Sequence, residues 1–363
     1  MLLIKLFFLL LLGNCSKIIN INTNFKDEHC PENLKKEFHQ FLIDQTTENM
    51  EDIIKVNPFI TEAKYGRENL DFLQIAALNG KYDSFLFLMH HGFSPRNLTN
   101  QGEPIIILAA KGNNTHILKY LLNHYSFNSI LDANERKLYD INSSTPEDGV
   151  TPLMIAIFNL NYEMVELLLE NGADVNKRSY TRSNSLHALA VAKWKKGYQK
   201  ENIPRIFKLL EEKGVNFLAQ DEDIINPFQL SIIEKNEEVI REFLKIKALK
   251  DKNIGLNQKD LEGKNSFYLA CRYLKKALIL EFLSLPELED CFTLKKRNSL
   301  YALISNFDSE VFEKIKDRFG YKLTKDEINK LLEHARMKEK KYSSNNKIKE
   351  AIIYLENLLN KAE

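Results

Sequence analysis

The sequence predicts an all-α solenoid of stacked helix pairs, on three observations. Only 13 Gly and 9 Pro occur in 363 residues, about half the usual share of glycine, which disfavours a turn-dense β sandwich or barrel. Apolar residues fall in short blocks at helical spacing, as helices with one buried face require. A small or apolar slot also returns along the chain at steps of 33 residues, or 33 plus an insertion. Recurrence at that length marks repeated units in place of the two or three globular domains that length alone implies. With 44% apolar and 28% charged residues, the chain has the composition of a folded protein.

Residues 1–15 read MLLIKLFFLLLLGNC: one Lys near the start, an apolar run from Leu6 to Leu12, then small or polar residues. That is the layout of a signal peptide, and the run falls short of the ~20 residues a membrane-spanning helix needs. Leu12-Gly13-Asn14-Cys15 also resembles the lipobox of bacterial lipoproteins, in which the Cys thiol is alkylated by diacylglycerol and becomes the N-terminus. Asn14 departs from the usual Gly or Ala. Two readings stand: lipidation at Cys15, or an incidental Cys15 beside ordinary cleavage before Ser16 or Lys17. Residues 16–28, a polar tether, tilt the choice to lipidation. The expected location is therefore the cell envelope as an anchored lipoprotein, with a soluble secreted or periplasmic form as the alternative. Residues 29–65 hold FHQFLIDQ and MEDIIKV, an N-terminal helical cap.

The clearest repeat is GVTPLMIAIFNLNYEMVELLLENGADVN, residues 149–176. Thr151-Pro152 opens a helix, the hydroxyl capping free amides and Pro fitting a first turn that does not need its N–H. Leu153, Ile155 and Ala156 follow at helical spacing, Ala156 leaving room for a close neighbour. A second helix carries Met164, Val165, Leu167, Leu168 and Leu169 and ends at Gly172, which takes the left-handed conformation of a helix end. Two helices this short cannot bury their apolar faces alone, so stacked copies are required. The slot of Ala156 recurs at Ala109, 47 residues earlier, and at Ala76, a further 33 earlier. Downstream it recurs at Leu189, Ser231, Ala270 and Leu303, at steps of 33, 42, 39 and 33.

Segment 149–176 resembles an ankyrin repeat in its Gly149-x-Thr151-Pro152-Leu153 opening, Ala156, triple Leu and closing Gly172-Ala173-Asp174-Val175-Asn176. The resemblance extends over residues 66–320 as about seven degenerate units, with a C-terminal helical cap at 321–363. Insertions lengthen it at 126–148 and 191–202, with a shorter extension near Lys250 to Asn257. Such insertions leave a stack as loops. The second holds the sole tryptophan, Trp194, among Lys193, Lys195 and Lys196. Trp194 either contacts a partner or extends the inner helix over the core.

The resemblance implies a protein-binding function through a concave face of hairpin tips and inner helices. Carried onto this chain, that face includes Lys111, Phe158, Asn159, Arg272 and Tyr273. No phosphate-binding glycine loop, H-E-x-x-H helix or G-x-S-x-G elbow occurs, so no catalytic residue, metal or cofactor is expected. An enzyme with a site on the insertions, or a structural brace of the envelope, are the alternatives to a scaffold, adaptor or inhibitor. His90-His91 sits at the polar end of an outer helix and reads as surface. His187 takes a helix-capping position, and Cys271 a tight packing slot. Asp221, Glu222 and Asp223 fall on a hairpin tip, where solvation is expected, with a weak cation or basic-partner contact as the sharper reading. Lys plus Arg number 51 against 50 Asp plus Glu, net +1, so nucleic acid is not expected as a partner. The expected species is a monomer that binds another protein and meets a membrane only through a lipid anchor.

Overall fold

Helix formation in this chain begins at capping side chains. Asp71, Thr151, Asn184, Asn226 and Asn265 each accept a hydrogen bond from the backbone N–H three residues on, at 2.8 to 3.3 Å, satisfying amides that the helix itself leaves open. The computed structural model describes residues 30–126, 139–192, 200–250, 253–290 and 298–361, which fall into two compact units, Met1–Val215 and Asn216–Glu363.

In the first unit, α1 (Glu32–Asp44) and α2 (Thr47–Val56) precede a two-stranded antiparallel ribbon, Lys64–Tyr65 with Leu70–Asp71. Four helix pairs follow: α3 (Phe72–Leu78) with α4 (Tyr82–His90), α5 (Ile105–Lys111) with α6 (Thr115–Leu121), α7 (Pro152–Phe158) with α8 (Tyr162–Glu170), and α9 (Ser185–Val191) with α10 (Asn202–Glu212). The inner helices stack in the order α1, α3, α5, α7, α9 and the outer ones in the order α2, α4, α6, α8, α10. In the second unit, α11 (Pro227–Ile233) pairs with α12 (Glu237–Lys250) and α13 (Ser266–Tyr273) with α14 (Lys276–Leu283). Then α15 (Ser299–Leu303) pairs with α16 (Ser309–Arg318), and a longer hairpin, α17 (Lys325–Lys341) with α18 (Asn346–Lys361), closes the unit. Here α11 packs on α13, α13 on α15 and α15 on α17. Each unit is thus an all-α stack of repeated helix pairs, four after the opening pair in the first and three before the closing hairpin in the second.

The slot that set the repeat period lies at the centre of each pair. Ala76, Ala109, Ala156, Leu189, Ser231, Ala270 and Leu303 are all completely buried. Whole inner helices follow them inside: every residue of α7, α9 and α11 is buried. Neighbouring turns approach so closely that a Cβ on Gly112 would lie 2.0 Å from the Ala77 carbonyl oxygen.

Asparagines tie the pairs together. At the inner-to-outer turns, Asn114 Nδ2 donates to the Gly80 carbonyl at 2.9 Å, Asn161 to Asn113 at 3.4 Å and Asn202 to Leu160 at 2.9 Å. The second unit repeats this with Asn306 on Leu274 and Asn345 on Ser305. A second series runs forward, from Asn142 to Gly172, Asn176 to Gly214 and Asn257 to Glu287. Each such bond contributes on the order of 1 kcal/mol, and repetition makes the sum substantial.

Insertions leave the stack intact. Although residues 126–148 separate the second and third pairs, α5 still packs on α7. The extension near Lys250 differs from the expected loop: α12 runs on as helix to Lys250, because Lys245 to Lys250 are strong helix formers and Lys247 reaches Glu287 at 2.6 Å.

Candidate functional site

Hairpin tips form the first exposed surface, and one device builds five of them. Thr99, Thr145, Ser179, Asp221 and Asp260 each use the backbone N–H to bond a carbonyl four or five residues on, at 2.9 to 3.0 Å. Their side-chain oxygens accept from the amide of that same later residue, at 2.9 to 3.1 Å. The turn needs a positive φ, supplied by Gly102, Gly149 and Gly263 but also by Arg182 and Ile224.

Asp221 corrects the expectation of a solvated acidic tip. Its carboxyl is fully buried, Oδ1 accepts from the Asp223 and Ile225 amides at 3.0 and 2.9 Å, and Oδ2 meets no hydrogen-bond donor among the described residues. Burial pushes its pKa up to about 6, against the two amide bonds and with help from Asp223 and Glu222. Only Glu222 is exposed.

The C-terminal ends of the inner helices form the second surface. Lys111 is half-buried and pairs with the buried Glu103 at 2.7 Å. Burial, then Glu147, raises the nearby Asp148 carboxyl, while Lys111 opposes that rise. Phe158 and Asn159 are buried, so the third pair presents little side chain at this end. Arg272 and Tyr273 are half-exposed, the guanidinium 5.4 Å from its neighbour's ring centroid, within cation–π range. The structure thus brings Lys111, Phe158 and Asn159 to the first unit and Arg272 with Tyr273 to the second. Trp194 and Cys15 lie outside the described residues.

Sequence reasoning passed over one exposed tip. Tyr180 is 64% exposed, between the exposed Arg178 and Arg182. The three cations flanking an aromatic residue in the segment KRSYTR are the signal that could have found it. Other singled-out residues have structural posts. His187 and Asn184 close a reciprocal capping box, His91 stacks on Phe87 at 4.0 Å, and Cys271 is buried. Among the described residues, no cluster of three His, Cys, Asp or Glu stands ready to hold a metal ion, and no helix is long and apolar enough to cross a membrane.

A family model of ankyrin repeats matches residues 73–179 in three copies, the stretch that holds α3 to α8 and the tips between them. The chain carries ankyrin repeats. It is 32% identical over 162 residues to a Fowlpox virus protein named for its ankyrin repeats, a match covering 44% of this chain and 40% of that one. A Rickettsia felis protein, also named for its ankyrin repeats, is 31% identical over 27% of this chain and 28% of its own. Mouse inversin is 32% identical over 28% of this chain and 9% of its own length. Each match spans less than half of the relative, so the likeness is one of repeats. Beyond the matched stretch, Leu189, Ser231, Ala270 and Leu303 keep the same buried slot.

Proposed function

We propose that this chain is an exported, non-enzymatic ankyrin-repeat protein that binds another protein and serves as a scaffold, adaptor or inhibitor. The carrying observation is the division of labour within each repeat. Inner helices are locked in the core by caps and asparagine bonds, while tips and helix ends hold Tyr180, Arg182, Arg272 and Tyr273 outward on fixed backbone. A rigid backbone presenting Tyr and Arg suits protein recognition, since these types dominate binding energy and little ordering entropy is lost on association. The signal-like residues 1–15 support export, and Cys15 a lipid anchor.

A photo-crosslinking residue at Tyr273, in the chain expressed in its own cells, should label a discrete protein, and the same residue at the buried Leu189 should not. Arg272→Ala with Tyr273→Ala should then weaken capture of that partner while helicity stays unchanged. Equal capture would remove both residues from the contact. The intact mass of the mature chain separates the two readings of Cys15. A chain beginning at lipidated Cys15 is tethered, and one beginning unmodified near Ser16 or Lys17 is soluble.

A further inference from the structure

We propose that the hairpin of residues 177–183 is a docking point for an acidic segment of a partner protein, an inference that rests on the protein-binding reading above and deepens it. Lys177 and Arg178 lead into the hairpin and Arg182 closes it, with no Asp or Glu anywhere in residues 175–192. Over the whole chain the charges nearly cancel, 51 basic against 50 acidic. All three cations are exposed, and Tyr180 stands among them, 64% exposed. Cations around an exposed aromatic ring offer a carboxylate-bearing chain both charge and an apolar surface to lie on.

The hairpin is built before any partner arrives. Ser179 N–H bonds the Ser183 carbonyl at 2.9 Å, Arg182 N–H bonds the Ser179 carbonyl at 2.9 Å, and Arg178 Nε bonds the Arg182 carbonyl at 2.6 Å. Ser179, Thr181 and Ser183 link their hydroxyls in series at 2.9 and 3.2 Å. Tyr180 is fastened to the preceding repeat: its N–H donates to the Asp148 carbonyl at 2.8 Å. Its ring lies so near Gly149 that a Cβ there would come within 2.7 Å of Cδ1. Cations and ring are therefore held on a fixed backbone, and pre-organisation of this kind raises affinity.

The footprint selects the partner class. The preceding tip, whose Asp148 carbonyl takes the Tyr180 N–H at 2.8 Å, carries Glu147 and Asp148 on one side of the hairpin. A nucleic-acid strand or an anionic membrane laid along this edge would run onto those carboxylates. A short acidic peptide needs no more of this edge than the cations Lys177, Arg178 and Arg182 and the Tyr180 ring.

The test is fluorescence anisotropy with the full chain at low salt. The probes are a short labelled peptide of alternating glutamate and leucine, its glutamine counterpart, an oligothymidylate of similar length, and phosphatidylserine vesicles. The glutamate peptide should bind, weaken as salt is added, and exceed the glutamine peptide by roughly tenfold. Lys177→Glu with Arg182→Asn should reduce its affinity by about the same factor. Asn is chosen because Arg182 sits at φ 60°, which Asn tolerates, so the variant keeps its fold. Tyr180→Ala should weaken binding while leaving the salt dependence in place. Equal binding of the glutamine peptide, indifference to the charge variant, or preference for the oligonucleotide or the vesicles overturns the proposal. A chain that ignores the acidic peptide yet still crosslinks its native partner through Tyr273 loses this docking point and keeps its protein-binding function. A chain that does neither loses both.

Discussion

The third and fifth helix pairs reach one backbone with different residues. At the tip, Thr145 in one and Asp221 in the other accept the same turn amide, from Val150 and Ile225. The left-handed turn residue is Gly149 in one and Ile224 in the other. Helix α7 starts at Thr151-Pro152 and α11 at Asn226-Pro227, both with a side-chain cap. The central slot is Ala156 against Ser231, and both are fully buried. What repeats is a set of hydrogen-bond and packing posts, each open to more than one side chain. The third pair fills its posts with the family's usual residues and lies within the matched stretch 73–179; the fifth lies beyond it.

The central slot gives the largest expected effect. Ala156→Asp places a charge where no water or partner reaches, and it should cost more than about 4 kcal/mol, unfolding the first unit in a urea titration followed by circular dichroism. Ala156→Ser sharpens the comparison, because Ser231 bonds its hydroxyl to the Phe228 carbonyl, three residues back, at 2.7 Å. If the posts are equivalent, the new hydroxyl finds the Leu153 carbonyl and the cost stays below about 1 kcal/mol. An Ala156→Asp chain that melts like the parent would show that the slot is not the centre of the repeat.

The tips differ in charge, and that difference can be read against pH. A carboxyl raised from an ordinary 3.8 to about 6 by burial binds its proton more tightly in the folded state. Its contribution is complete below about pH 4, declines as pH climbs to about 6, and is flat beyond. Asp221→Asn should remove that decline. It should make the chain more stable at pH 7.5 by on the order of 1 to 3 kcal/mol, with little gain at pH 4. Urea midpoints of parent and variant at the two pH values isolate this group, since all other carboxyls cancel in the difference. A gain that is the same at both values would assign the effect to something other than Asp221 ionisation.

Most of the fold was legible because its decisive signals are local or strictly periodic. The slot from Ala76 to Leu303, the cap at Thr151 and the helix end at Gly172 each follow from a few neighbouring residues and a constant step. The surface was less legible. Phe158 and Asn159 hold the expected positions at the end of α7, yet both are buried, a property of packing that helical phase alone does not report. Asp221 belongs to a charged triplet in sequence, but the turn directs it inward and leaves Glu222 outside. Tyr180 is exposed because the turn holds its ring against Gly149 in the preceding repeat, a contact between residues 31 apart. The abundant asparagines carry no helical signal of their own, and their bonds to the next turn become visible only once the pairs are stacked.

Caps give the smallest effect and the finest test of equivalence between posts. Thr151 makes one capping bond, to the Met154 amide at 3.3 Å, so Thr151→Ala should cost about 1 kcal/mol. Asn226 caps the Gln229 amide at 2.9 Å and also sends Nδ2 to the Gly255 carbonyl at 3.1 Å and to Gln258 Oε1 at 2.8 Å. Its truncation strands buried partners as well as an amide, so Asn226→Ala should cost about 2 kcal/mol. Asn226→Thr should recover only the capping share, leaving the deficit of the lost amide donors. If both alanine variants cost the same, the cross-loop bonds of Asn226 contribute nothing net and the two caps are interchangeable. If Asn226→Thr remains weaker than the parent, the fifth pair depends on its asparagine for a link that Thr151 never makes in the third.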